Sequence, residues 1–216
     1  YRERGRSGRF NLLQSGRRGN TLEGVSLILG ARCGLTEITE YPDYLDNFEG
    51  LDSLTLLLWN NPPEGYLEQI EDFKNTGYSL HGHPLIDKRN GREFQSIDEM
   101  LNHLNQQIGG FENLIDDWDV LNEVFNDGRL LAICLNNEDW PYYAFDFVRQ
   151  KCPNAKLWLN EFAIKNGRYW QGVLRLASRL KERGLIDGVG IQCHADLRGK
   201  LRFPKNTRYF DYGLSH

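Results

Sequence analysis

No stretch of about 18 consecutive apolar residues occurs, so no segment of the sequence could span a bilayer as a helix. Basic charge is not in excess either. A net charge of −4, with 26% charged residues, leaves no positive footprint for a nucleic-acid backbone, and neither membrane nor nucleic-acid partners are expected. No Gly-x-Gly-x-x-Gly turn follows an apolar run, and no Gly-x-Ser-x-Gly elbow is present. Those absences speak against a dinucleotide-binding sheet and against a serine hydrolase built on an open α/β sheet. Cysteine is sparse: Cys33, Cys134, Cys152 and Cys193 lie far apart, without the close pairs of a structural zinc site or redox motif. A metal site is not expected. Cys193 sits in an apolar run and reads as a small packed side chain; a disulfide stays open but unassigned. The chain begins with Tyr1, and no positively charged segment leading into an apolar stretch and cleavage site is visible, so the compartment is not legible there.

What is present fits one globular domain. With 216 residues, 40% hydrophobic and 12% aromatic, the chain can bury one sizeable core. Short runs rich in Val, Ile and Leu recur, each followed by a polar loop and a segment of helical periodicity, which is the pattern of repeated βα units. Strands are predicted over Val25 to Leu29, Leu54 to Trp59, Tyr78 to Ile86, Trp118 to Val124, Lys156 to Phe162 and Val189 to His194. Helices are predicted over Tyr66 to Lys74, Ile97 to Ile108, Trp140 to Arg149 and Tyr169 to Arg183, with their apolar stripes turned to the core. His103, on the second of these, is expected to face solvent. A parallel series either opens into a doubly wound sheet or curls into a barrel, and a closed barrel takes eight strands in about 250 residues. The expectation is therefore a TIM (β/α)8-type barrel, incomplete at about six βα units, over residues 24–216. Residues 1–23, with Arg2, Arg4, Arg6, Arg9, Arg17 and Arg18 among glycines and a Gly19-Asn20 turn signal, read as an N-terminal β-hairpin or a solvated arm.

Polar residues gather at the C-terminal ends of the predicted strands, where barrel enzymes assemble their sites. The third strand carries His81 and His83, the fourth ends in Asn122-Glu123, the fifth in Asn160-Glu161, and the sixth carries Gln192 and His194. A carboxylate at the end of an apolar strand loses hydration and must be paired or protonated. Glycoside hydrolysis needs one carboxylic acid to protonate the departing oxygen and a second carboxylate to attack the anomeric carbon or activate water. Glu123 suits the first role, and Asn122 beside it carries an amide that can orient a sugar hydroxyl.

At these positions the sequence resembles glycoside hydrolase family 10, the endo-1,4-β-xylanase family. WDVLNE at Trp118 to Glu123 is similar to the family's acid/base signature, which ends in the proton donor. HGHPL at His81 to Leu85 resembles its third-strand motif, KLWLNEF at Lys156 to Phe162 its fifth strand, and GVGIQCH at Gly188 to His194 its sixth. Leu54 to Gly65 is similar to a shortened second-strand region, and Gly8 to Gly30 to a hairpin that precedes the barrel in some members. The resemblance implies a retaining glycosidase acting on xylan-like polysaccharide or oligosaccharide, without metal or cofactor. Glu123 would be the acid/base, and Trp59, His83, Asn122, Glu161, Gln192 and His194 would line the substrate side. A polysaccharide substrate would fit a secreted protein. Trp118 and Trp158 are expected to pack the barrel, while Trp59 could stack on a sugar ring.

The departures from the family pattern are specific. The family's nucleophile is a Glu at the end of the seventh strand, and no such segment follows His194, so the chain alone is expected to be inactive or nearly so. By motif order Glu161 belongs to the fifth strand, where the family places a structural or substrate-side pair rather than the nucleophile. Asp87 and Lys88 stand where the family has a Trp and a His, and the second-strand Asn and Lys that hold the sugar have no clear match. A carbohydrate-binding relative that kept the cleft without catalysis is the alternative implied by these losses.

Overall fold

The computed structural model describes residues 30–34, 53–57, 66–88, 94–126, 129–134, 137–162 and 167–192. Strands β1 (Gly30–Gly34), β2 (Ser53–Leu57) and β3 (Ser79–His83) are followed by the short β4 (Ile86–Asp87), then β5 (Asp117–Asn122), β8 (Lys156–Glu161) and β9 (Gly188–Ile191). A two-stranded hairpin of β6 (Phe125–Asn126) and β7 (Arg129–Leu130) follows β5 directly. Helices α1 (Tyr66–Asn75), α2 (Ile97–Ile108), α3 (Trp140–Lys151) and α4 (Gly167–Glu182) separate the main strands.

All pairings of the main sheet are parallel, in the order β1-β2-β3-β5-β8-β9, with β4 alongside β5. The strands neighbour one another in chain order without a reversal. A doubly wound sheet reverses its order at a switch point, whereas a (β/α)8 barrel does not, so the sequential order marks this as the TIM-barrel type. Among the described residues, six consecutive barrel strands and four connecting helices are seen.

The helices form for local reasons. In α2, Ser96 caps the start, its Oγ accepting from Glu99 N at 3.1 Å, and the Glu99 carboxylate accepts from Gln95 N at 2.7 Å. Past its end, Gly110 adopts φ 89, a left-handed value that glycine takes without steric cost. Pro141 lies in the first turn of α3, where its missing N–H is not needed. The apolar faces of these helices close on the sheet in one cluster that includes Ile70, Met100, Leu104, Phe145, Val148, Val173 and Leu180 with Leu54, Leu56, Leu80, Trp118, Leu157 and Leu159.

Two expectations need correction. His103 is buried, not solvent-facing: it lies on the same face as Met100 and Leu104, its Nε2 is 3.2 Å from Leu85 O, and its ring lies 5.3 Å from that of Phe94. The third strand is interrupted at Pro84 and Leu85, leaving β3 and β4 as separate pieces, because proline supplies no N–H to the ladder. The strand predicted over Val25 to Leu29 and the arm over residues 1–23 lie outside the described residues; the first described strand is Gly30–Gly34. Trp118 is fully buried, as expected of a barrel-packing residue, and Cys134 and Cys152 are buried free thiols.

Candidate active site

Strand alternation assembles the first half of the site. His81 pairs in register with Asp117 and Gly82 with Trp118, so His81, His83, Asp117 and Asp119 share one face while Gly82 and Trp118 take the other. On the polar face, His83 Nδ1 lies 2.6 Å from Asp119 Oδ2, and His81 Nε2 lies 3.1 Å from the same oxygen. The Nδ1 of His81 meets Asp117. Burial alone would lower the pKa of His81, but the hydrogen bonds to Asp117 and Asp119 outweigh it and raise the value to about 10. Burial alone would raise the pKa of Asp119; hydrogen bonds and charge from His81 and His83 carry it below its ordinary value instead. Among the described residues, His81, His83 and Asp119 also form the one group with ligand atoms within 4.8 Å of one another, a spacing that could hold a metal ion. Here these groups satisfy one another.

The second half depends on an irregularity. Residues 119 and 122 differ by three and would point to opposite faces of a regular strand, but the β5–β8 register shifts between Asp119 and Leu121. Beyond the shift Asn122 pairs with Asn160, whose amide nitrogen lies 3.0 Å from Asp119 Oδ2 and 3.2 Å from Asn122 Oδ1. Gln192 donates to the same Asn122 oxygen at 2.9 Å, and Asn122 Nδ2 donates to the carboxylate of Asp87. Asn122 and Asp87 are both buried.

Glu123 follows immediately, at the C-terminal end of β5. Its backbone is left-handed, φ 55, and its amide donates to Asn160 O at 3.0 Å. The carboxylate is paired, Oε2 standing 3.0 Å from Lys88 Nζ, and its side chain keeps 12% of its surface exposed. Lys88 also stands 4.2 Å from the centre of the Phe162 ring, which is exposed at the mouth. Glu161 is different in kind: it has no exposed surface, Oε1 accepts from Val124 N at 2.8 Å, and Oε2 accepts from the Tyr169 hydroxyl. Burial pushes its pKa up to about 7 against the opposing hydrogen bonds from Tyr169 and Val124. Burial and the Glu161 carboxyl in turn raise the Tyr169 phenol.

The structure thus gathers His83, Asn122, Glu123, Glu161 and Gln192 around the C-terminal ends of β3, β5, β8 and β9. Trp59 and His194 lie outside the described residues. The sequence assigns no working role to Asp119 or Tyr169, and marks Asp87 and Lys88 only as departures from the family pattern. Strand alternation from His81 and His83 across to Asp117 and Asp119 was the available signal for the first. The others are brought in by loop and helix geometry.

Strand order and site together define a (β/α)-barrel with a cluster of carboxylates, amides and histidines at its C-terminal strand ends. The model of glycosyl hydrolase family 10 matches residues 68–210, and the chain belongs to that family. It is 31% identical over 152 residues to endo-1,4-beta-xylanase A of Thermotoga neapolitana, covering 62% of this chain and 14% of that protein. Identity to endo-1,4-beta-xylanase B of Humicola insolens is 37% over 98 residues, 44% of this chain and 26% of that one. The chain therefore spans well under half of these relatives. Among solved structures, a glycosylated endo-beta-1,4-xylanase from Gloeophyllum trabeum superposes with a TM-score of 0.66 at 21% identity, over 86% of this chain and 68% of that one. Xylanase 10B from Thermotoga maritima gives 0.65 at 20% identity, over 87% and 64%. These two likenesses establish the fold.

Proposed function

We propose that this chain carries the acid/base half of a retaining endo-1,4-β-xylanase-type hydrolase acting on xylan-like polysaccharide or oligosaccharide. The observation that carries the reading is Glu123: a carboxylate at the end of β5, partly exposed, in a fixed backbone conformation and beside the cation of Lys88. In the first step the protonated Glu123 carboxyl gives its proton to the glycosidic oxygen while a nucleophilic carboxylate bonds to the anomeric carbon and the leaving sugar departs. In the second, the Glu123 carboxylate takes a proton from water, whose oxygen bonds to the same carbon and releases the nucleophile. Lys88 neutralises the carboxylate that exists between the two steps. His83 is assigned to a sugar hydroxyl, as are Trp59 and His194 to the substrate side. Asn122, expected there too, is fully buried with its amide engaged by Asp87, Asn160 and Gln192, and so ties the strand ends together instead. Glu161 is not the nucleophile in this proposal, because it is fully buried with both oxygens engaged. Residues 24–216 form the barrel unit in this proposal, and residues 1–23 an arm or hairpin before it.

The test pairs calorimetry of xylo-oligosaccharides on this chain with a hydrolysis assay of the protein that carries it. Glu123→Gln should leave binding within a few-fold and cut hydrolysis by about 10²–10⁴. Binding without turnover, unchanged by Glu123→Gln, would support a carbohydrate-binding relative instead. No binding at all would overturn both.

A further inference from the structure

Glu123 is the one non-glycine residue with positive φ among the described residues. Side chains disfavour that conformation, so it persists only where its surroundings hold it. Two amides do the holding here, and both lead to β8. Glu123 N donates to Asn160 O at 3.0 Å, and the next amide, Val124 N, donates to Glu161 Oε1 at 2.8 Å. The main chain has left the β5–β8 ladder by this point, so a carboxyl oxygen receives a donor that would otherwise be buried without a partner: Val124 has no exposed surface. The carbonyl of Val124 is held as well, accepting from Leu131 N at 2.9 Å just past the β6–β7 hairpin.

Glu161 is itself fixed at each end. Its main-chain carbonyl accepts from Gln192 N at 2.9 Å next to β9, and its second carboxyl oxygen accepts from Tyr169, buried in the first turn of α4. A carboxyl with no exposed surface cannot touch a sugar. Its chemistry is spent on the turn that carries Glu123. From this we infer that Glu161 is a positioning residue for the acid/base: through the Val124 amide it holds the left-handed turn that aims the Glu123 carboxyl, with Tyr169 as its anchor. The inference rests on the reading of Glu123 as acid/base. Either protonation state of Glu161 can accept from Val124, so the clamp survives its titration near neutral pH.

Two measurements test it. Amide exchange on this chain needs only a folded protein: Glu161→Asp, which draws the carboxyl back by one methylene, and Glu161→Ala should raise exchange at Val124 by about 10-fold or more relative to α2 amides, while Glu161→Gln, whose amide oxygen can still accept, should stay within about 3-fold. Unchanged exchange at Val124 in Glu161→Asp would overturn the clamp even if Glu161→Ala failed to fold. Hydrolysis of aryl xylobiosides by the protein carrying this chain is the second. A misaimed proton donor matters when the leaving group needs a proton, so Glu161→Asp should lower kcat/KM for the phenyl glycoside by about 10-fold or more while the 2,4-dinitrophenyl glycoside changes by less than about 3-fold. Glu161→Gln should restore the phenyl substrate. Equal losses on both substrates would reduce Glu161 to a general structural role and overturn the proposal. If the unaltered protein hydrolyses neither glycoside, the acid/base reading fails and the positioning role falls with it.

Discussion

Gly82 lies between the two histidines of β3, and the indole of Trp118 occupies the space its side chain would need. A Cβ built on Gly82 would stand 2.9 Å from Trp118 Cδ2 and closer still to Cε3 and Cζ3. Against a comfortable carbon–carbon separation of ~3.5 Å, the shortfall is at least about 0.6 Å at Cδ2 and larger at the other two atoms. The ring cannot retreat, because Trp118 is wholly buried and Gly82 and Trp118 are register partners in adjacent strands. Gly82→Ala should therefore cost toward the top of the usual overpacking range, about 3 kcal/mol. In a domain of this size, at ~2–4 °C per kcal/mol, Tm should fall by about 6–12 °C. Circular dichroism melts and urea titrations would read the loss as a lower midpoint with an unchanged slope. Trp118→Phe gives the control: the smaller ring vacates the region of Cε3 and Cζ3, so Gly82→Ala in that background should cost less than about 1 kcal/mol, a coupling of about 2 kcal/mol. A Tm within about 2 °C of the parent, or an equal cost in both backgrounds, would refute the proposed close fit.

Stability should peak on the acid side of neutrality. The lowered pKa of Asp119 contributes stability that is present above its ordinary value of 3.8 and lost as pH falls through its folded value. Glu161 works oppositely: raised from 4.5 to about 7, its contribution is full below 4.5 and lost as pH rises through 7, about 3 kcal/mol at most. His81, raised from 6.5 to about 10, adds a second decline as pH passes through 10. Urea melts at pH 4.5, 7 and 9.5 should thus give falling unfolding free energies, and His81→Asn should flatten the fall between the last two; a rise across the series would contradict the assignment. Lys88→Met removes the cation from Glu123 at a site whose two side chains are 31% and 12% exposed. It should cost roughly 1 kcal/mol in a urea melt, and an unchanged midpoint would show that the ion pair contributes nothing to the fold.

The barrel architecture was legible because βα units announce themselves twice, by β-branched and leucine-rich runs and by helical stripes between them. Helix α2 was placed over the same residues as observed, from Ile97 to Ile108, where Ser96 and Gly109 bracket a strong apolar period. His103 is buried against the expectation because it falls on the helical stripe of Met100 and Leu104, and position on that stripe outweighs the polarity of its ring. The β6–β7 hairpin was not anticipated, yet Asp127-Gly128 between its strands is a strong two-residue turn signal. Of the residues that motif order singles out, His83, Asn122, Glu123, Glu161 and Gln192 stand at or next to strand ends, while Trp59 and His194 lie outside the described residues. What motif order could not supply was their wiring. That Lys88 pairs with Glu123, and that Tyr169 reaches Glu161 from a helix, depends on how separate elements meet, which no local pattern encodes.

The register shift in β5 lets Asp119 and Asn122, three positions apart, serve the same side of the sheet. Between Asp119 and Leu121 one extra residue is accommodated, and because successive side chains change sides, everything downstream inherits that offset. Most single replacements at Val120 would leave the downstream order intact. Removing it would leave Asp119 and Asn122 two positions apart, the spacing at which plain alternation already puts both on one side, so Asn122 would stay opposite Asn160 and only the local bend would be lost.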